Sequence, residues 1–306
     1  MGKVSIQMCC YNGETYLMDA IDSILVQTYE NWELIFWDNC SSDSSAAIVK
    51  SYNDPRIKYY LAPDHSDLGG GRARSWPLLT GDYVAFLDVD DTWEKDKLAL
   101  QIAMFENTEV SIVAGDVMWM NAHHQQLLYN GVYPPEGHVT GALLRQYFLS
   151  LPSVMVRMKS IETAGGGFDT GFSHIADFDL FLRASTSGKL AIVKQHVASW
   201  RVDMNSQSWS NRSKFEVEHC KWIEHYRKVP SIRKYWLSFL IYQMTIIVKK
   251  VYFGLINSKY DKTSATGLMR FLDYLGGLAY NILRWTPMAS FVKWHYRRRI
   301  AKWMNI

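Results

Sequence analysis

Apolar residues alternate between strand and helix spacing along the first part of the chain. Val4 to Tyr11 is typical of a strand, and Glu14 to Gln27 is typical of an amphipathic helix. A second strand, Glu33 to Asp38, leads through turn and capping residues into a helical run from Ser44 to Tyr52. The pattern therefore predicts repeated strand–helix units.

Three further strands complete the predicted sheet. They are Ile57 to Leu61, Tyr83 to Leu87 and Val110 to Val117, with a helical pattern between the last two. This alternation predicts an α/β fold, a mostly parallel sheet sandwiched by helices. Ligands bind such sheets at the carboxyl ends of the strands, where Tyr11, Asp38 and Asp88 fall. We therefore expect the functional site at this edge.

Length and composition set the domain organisation. The 306 residues are enough for one catalytic domain and an appendage, and 48% apolar with 21% charged residues excludes a disordered or polytopic membrane chain. A polar stretch, Asn205 to Arg212, is the expected hinge. We predict a catalytic domain over residues 1–210 and a helical region over residues 211–306.

The start of the chain and its cysteines predict a cytoplasmic protein. No secretory signal pattern follows Met1. The four cysteines lack metal-ligand spacing, and the adjacent Cys9 and Cys10 point to opposite faces of the first strand. Reduced, packed thiols are the expectation.

Charge is distributed unevenly along the chain. Residues 227–306 carry 15 Lys and Arg against two acidic residues, whereas residues 1–226 carry 18 basic and 28 acidic residues. This split favours an acidic catalytic part and a basic part that faces an anionic partner.

An acidic turn follows the fourth predicted strand. Asp88, Asp90 and Asp91 lie within four residues, and adjacent carboxylates repel unless they are solvated or share a cation. Taken alone, the turn is equally compatible with a solvated helix cap and with a divalent-metal site. A glycine triplet, Gly69 to Gly71, matches neither the P-loop nor the dinucleotide-binding pattern.

Short motifs follow one another along residues 4–210: Val4-Ser5-Ile6, Tyr11-Asn12, Tyr16-Leu17, Gln27-Thr28-Tyr29, Glu33-Leu34-Ile35 with Asp38, Phe86-Leu87-Asp88-Val89-Asp90-Asp91 with Trp93, Gly166-Gly167-Phe168-Asp169, and Asp177-Phe178-Asp179 through Arg183. In order and spacing, this set of motifs resembles glycosyltransferase family 2. The resemblance implies a GT-A fold and an inverting nucleotide-sugar transferase that uses Mg²⁺ or Mn²⁺.

The resemblance also assigns roles to individual residues. Asp177 is the implied general base, and Asp90 and Asp203 are the implied metal ligands. The implied donor-binding residues are Tyr11, Asn12, Asp38, Arg72, Asp88 and Arg201.

Several positions depart from the family pattern or allow a simpler interpretation. Ala176 stands where an acidic residue usually precedes the base, and Asp203 stands where histidine is common. Asp38 is also a plausible helix cap. Asp179 is the rival to Asp177 as base, although a helix turns residues two positions apart by about 200°.

The basic, aromatic tail leaves two interpretations open. Its residues Phe291, Trp294 and Trp303 are mixed with Arg297 to Arg299, as in a helix lying in an anionic membrane interface. The alternative is a helical subdomain packed on the catalytic core. Nucleic acid is disfavoured because no nucleic-acid module is present.

Together these features predict an inverting glycosyltransferase. Its expected donor is a nucleotide-diphosphate sugar, most simply a UDP-sugar, and its expected acceptor a glycan or lipid-linked hydroxyl in surface glycan synthesis at the inner membrane face. The alternative outside enzymes is a degenerate sugar-nucleotide-binding module without turnover.

Overall fold

The computed structural model describes residues 2–120, 125–201 and 212–257. The strands are β1 (Val4–Cys10), β2 (Trp32–Asp38), β3 (Ile57–Leu61), β4 (Tyr83–Phe86), β5 (Thr92–Trp93), β6 (Val110–Met120), β7 (Gln125–Leu127), β8 (Met155–Arg157) and β9 (Lys189–Arg201). The helices are α1 (Leu17–Leu25), α2 (Ser45–Ser51), α3 (Leu68–Ser75), α4 (Lys97–Met104), α5 (Thr140–Arg145), α6 (Met158–Thr163), α7 (Ala176–Ser185), α8 (Arg212–Tyr226), α9 (Pro230–Arg233) and α10 (Trp236–Asn257).

The strands form one mixed sheet in the order β3-β2-β1-β4-β8-β6-β9-β5, with β7 paired to β6. Strands β3, β2, β1 and β4 run parallel, which confirms the predicted α/β sheet. Strand β8 is antiparallel to both β4 and β6, a reversal that the sequence pattern did not indicate. All residues of β1 and β2 are buried, as expected for parallel strands that are covered on both faces.

Packing on the two faces of β1 separates its adjacent cysteines. Cys10 belongs to the large core cluster with Leu17, Ile21 and Leu34, whereas Cys9 packs with Trp37 on the other face. Burial raises the pKa of the Cys9 thiol to about 12. Both cysteines are free thiols, in agreement with their predicted packing role.

Helices α8 and α9 and the start of α10 belong to the first compact unit, which runs from Met1 to Gln243. Trp222 of α8 is fully buried and packs on Phe178 of α7 at a ring-centroid distance of 5.1 Å. The boundary predicted after residue 210 lies outside the described residues. The second unit is Met244–Ile306, of which residues 244–257 are described. No helix in the described ranges is long and apolar enough to cross a membrane.

Candidate active site

The carboxyl ends of β1 and β2 lie side by side, because Cys10 and Asp38 are their last paired residues. Asn12 follows β1 in a left-handed backbone conformation with a φ of 54°. Its side-chain oxygen accepts a 2.8 Å hydrogen bond from the Ser42 backbone N–H, and its own N–H donates to Ser41 Oγ. Asn12 thus ties the loop after β1 to the loop after β2.

An exposed aromatic pair lies beside this edge. The Tyr11 side chain is 50% exposed, and its ring centroid lies 4.3 Å from that of His65, in the loop after β3. Asn39 holds this loop, since its side-chain nitrogen donates to the Ser66 carbonyl at 2.6 Å. Sequence analysis identified Tyr11 but not His65, because the loop after β3 lacks a motif. It treated Asn39, which follows β2, only as one of the turn residues there.

Asp38 is buried at the end of β2. Its carboxylate accepts hydrogen bonds from the Ser41 backbone N–H at 2.7 Å and from the Tyr59 hydroxyl at 2.6 Å. The capping contact closest to α2 is made by Asp43, which accepts from the Ser45 N–H at 3.0 Å. Asp38 is therefore held in a fixed orientation at the strand edge.

Helix α3 brings Arg72 to the acidic turn after β4. The Arg72 guanidinium donates to both carboxylate oxygens of Asp88, at 2.8 and 3.1 Å, and is buried. At Gly69, an added Cβ would lie 2.1 Å from the Phe172 carbonyl oxygen, so only glycine allows α3 to approach the loop before α7 this closely. The positive charge of Arg72 also acts to lower the pKa of Asp177, in the first turn of α7.

Asp177 lies half-buried in the first turn of α7. Its carboxylate accepts a 2.9 Å hydrogen bond from the Tyr147 hydroxyl. Burial raises the pKa of Asp177 above its ordinary value, although the Arg72 charge and the Tyr147 hydrogen bond act in the opposite direction. A raised carboxyl pKa in a polar site is the property expected of a general base.

Asp179 has a different environment from Asp177. It is fully buried, pairs with Arg183 at 2.8 Å and accepts a 2.9 Å hydrogen bond from the indole N–H of Trp222. Arg183 in turn donates to the carbonyls of Gly166 and Gly167, both at 2.6 Å. Asp179 and Arg183 therefore join α7, α8 and the loop that contains Gly165 to Gly167, called the glycine loop below.

Glu218 of α8 contacts the segment that precedes Asp177. One of its oxygens accepts from the backbone N–H groups of Ser173, His174 and Ile175, at 3.0, 2.8 and 3.1 Å. Its other oxygen lies 3.0 Å from His174 Nδ1. His174 is thus engaged by Glu218, and the amino end of α7 receives a negative charge of the kind its dipole favours.

The acidic turn is connected to the end of β9 through Arg201. The Arg201 N–H donates to the Asp91 carboxylate at 3.0 Å, and its guanidinium donates to the Asp90 carbonyl at 3.1 Å. The same guanidinium lies 3.9 Å from the Tyr16 ring centroid. Arg201 therefore lies at the predicted edge and holds the turn in place.

The acidic turn concentrates negative charge of the kind that would attract a divalent cation. Asp91 is buried, and its pKa is raised well above the ordinary value, first by burial and then by repulsion from Asp90 and Asp88. The described residues contain no cluster of three or more metal-ligating side chains, and Asp203 lies outside them. Mg²⁺ commonly takes one or two carboxylates together with substrate phosphates and water. Asp90 suits such a sparse protein ligand set.

Comparison with known proteins relates the chain to glycosyltransferases. The sequence model of Glycosyl transferase family 2 matches residues 5–130. UDP-Glc:alpha-D-GlcNAc-diphosphoundecaprenol beta-1,3-glucosyltransferase WfgD of Escherichia coli is 28% identical over 84% of this chain and 98% of its own length. Putative teichuronic acid biosynthesis glycosyltransferase TuaG of Bacillus subtilis is 35% identical over 37% of this chain and 48% of its own.

The fold has counterparts among solved structures. Residues 1–349 of S. aureus TarS, in complex with UDP, superpose with a TM-score of 0.59 at 17% identity, over 74% of this chain and 66% of that one. A sequence match that spans β1 to the acidic turn, glycosyltransferase relatives and a shared GT-A fold have one explanation: the chain is a glycosyltransferase, similar to glycosyltransferase family 2 over residues 5–130.

Proposed function

We propose that this enzyme transfers a sugar from a nucleotide-diphosphate sugar to a hydroxyl of a glycan or lipid-linked acceptor, with inversion of the anomeric centre. The observation that carries this proposal is the buried ion pair between Arg72 and Asp88, with a distance of 2.8 Å, because the same cation also acts to lower the pKa of Asp177. The proposed donor-side carboxylate and the proposed base are thus both influenced by one buried cation.

In this proposal Asp177 takes the proton from the acceptor hydroxyl as it attacks the sugar. One base without a protein nucleophile gives single displacement, and single displacement inverts configuration. Arg72 holds Asp88 in orientation, and Tyr11 offers an exposed ring against which a nucleotide base can stack. Asp90, together with Asp203 as the second proposed ligand, would hold a divalent ion, which would neutralise charge on the departing diphosphate.

The relatives guide the choice of substrates. WfgD is named for a UDP-glucose donor and a diphosphoundecaprenol-linked acceptor, and TuaG for teichuronic acid biosynthesis. We extend these chemistries to this chain as a UDP-sugar donor and a polyprenyl-diphosphate-linked acceptor in cell-surface polysaccharide synthesis. Such an acceptor lies in a membrane, and we propose that the enzyme works at the cytoplasmic face of that membrane.

Thermal unfolding with a panel of UDP-, GDP-, dTDP- and CMP-sugars tests the donor site. Ligand binding to the folded state raises the melting temperature, and we expect stabilisation by UDP-sugars that requires Mn²⁺ or Mg²⁺ and disappears with chelator. Asp90→Ala should abolish the metal-dependent part. Asp96→Ala, an acidic residue at the start of α4, is the control and should retain it. Stabilisation by no nucleotide sugar would contradict the proposal.

A further inference from the structure

Exposed cations accumulate where the chain passes from α8 to α10. Among the described residues, no carboxylate pairs with the exposed side chains of Lys221, Arg227, Lys228, Arg233 and Lys234. Around the sheet, by contrast, Lys58 pairs with Glu33 and Arg72 with Asp88. The segment from Lys221 to Gln243 contains a single acidic residue, Glu224. This surface therefore carries uncompensated positive charge.

Apolar side chains are exposed beside these cations. Trp236, Leu237 and Leu240 at the start of α10 are 65%, 55% and 45% exposed. At 100° per residue they share an arc of about 100° on one side of the helix. The opposite side carries the buried Phe239 and Tyr242. The first turns of α10 thus bury one face and leave an apolar face open.

Cations and apolar residues meet in one groove. Arg227, Arg233 and Trp236 line a cavity of about 260 Å³, whose wall includes Tyr226 and Phe239. Two guanidinium groups can hold a phosphate there while hydrocarbon packs against the neighbouring indole. This pairing matches a phospholipid, which has an anionic headgroup and an apolar chain.

The tail of the same chain does not complement this surface in charge. Residues 258–306 carry nine Lys and Arg against two acidic residues, so both segments are basic. An anionic bilayer is complementary to a basic surface with exposed Trp and Leu. We propose that the surface made by Lys221 to Leu240 docks the enzyme on an anionic lipid bilayer. The proposal goes beyond the transferase function, because this docking requires neither donor nor acceptor.

Flotation of the full chain with lipid vesicles tests the proposal. We expect binding to vesicles of phosphatidylcholine with phosphatidylglycerol, weaker binding to phosphatidylcholine alone, and a decrease as salt rises. Arg227→Glu with Arg233→Glu should weaken the partition on the order of 10-fold. Trp236→Ser with Leu240→Ser should weaken it by a similar factor, because the inserted apolar area is lost.

Matched variants elsewhere in the first unit serve as controls. Lys95→Glu with Lys159→Glu makes the same charge change, and Met18→Ser with Val26→Ser removes exposed apolar side chains on α1 and directly after it. Both pairs should leave most of the binding intact. No binding to anionic vesicles, or equal binding by surface and control variants, would overturn the proposal; the second result would assign binding elsewhere, for example to residues 258–306. Donor-induced thermal stabilisation, measured in parallel, reports the donor site independently.

Discussion

At the scale of single residues, Arg72 connects the components of the candidate site. The residue is 7% exposed, and a buried cation is stable only when it is paired. Asp88 supplies that pair, and the remaining field of Arg72 opposes the rise in the pKa of Asp177. One side chain therefore orients a donor-side carboxylate and moderates the proton affinity of the proposed base.

Tyr147→Phe should move the acidic limb of the pH–rate profile. The hydroxyl donates to the charged form of Asp177, so its removal raises the pKa of Asp177 further. A base must be deprotonated, and activity should therefore fall at a higher pH than in the wild type, while the rate on the alkaline plateau stays within about 10-fold. The measurement is kcat/KM as a function of pH.

Tyr52→Phe is the matched control for this experiment. Its hydroxyl donates to Asp22 at 2.8 Å, on α1 and away from Asp177. The control should keep the wild-type pH profile. If Tyr147→Phe also kept it, the hydrogen bond to Asp177 would have no influence on the titrating group.

At the scale of elements, α7 is held at its amino end and along its buried side. Glu218 accepts hydrogen bonds from the backbone N–H groups of the three residues before the helix. Arg183 connects Asp179 to the glycine loop. Helix α8 supplies Glu218 and also Trp222. The position of Asp177 therefore depends on a helix beyond the part of the chain that carries the family motifs.

Glu218→Ala should destabilise the protein and impair catalysis together. The loss of a carboxylate that caps a helix costs about 1–2 kcal/mol. The amino end of α7 then loses its fixed position, and we expect kcat to fall more than KM rises. Chemical denaturation and steady-state kinetics measure the two effects.

Glu224→Ala is the matched control on the same helix. Its side chain is exposed, and no hydrogen bond of Glu224 to α7 is present among the described contacts. Stability and kcat should both stay close to the wild-type values. Equal behaviour of the Glu218 and Glu224 variants would show that the contact between α8 and α7 does not position the base.

At the scale of the whole molecule, sequence periodicity predicted the parallel half of the sheet. The predicted strands that end at Asp38 and Leu61 match β2 and β3 because their apolar runs are short and bounded by turn residues. The antiparallel strand β8 was missed, since Met155–Arg157 has only three residues and its pairing depends on distant β4 and β6. Short strands fixed by tertiary contacts leave little local signal.

The same distinction applies to the site. Asp88, Asp90 and Asp177 lie in recognisable motifs, and strand order places Asp88 and Asp90 directly after β4, at the carboxyl edge of the sheet. Tyr147 and Glu218 come from segments without a motif, and their contacts with the site span 30 and more than 40 residues. Only folding brings such residues to the site, and sequence spacing cannot indicate them.

We propose that Asp177 is the general base of sugar transfer and that donor binding does not require it. The most direct test of this proposal compares Asp177→Asn with the wild type in transfer from the stabilising UDP-sugar to a polyprenyl-diphosphate-linked acceptor, after donor-induced thermal stabilisation has shown that the variant still binds. We predict unchanged stabilisation and a loss of transfer on the order of 10²–10⁴-fold. Transfer by Asp177→Asn at the wild-type rate would contradict the account.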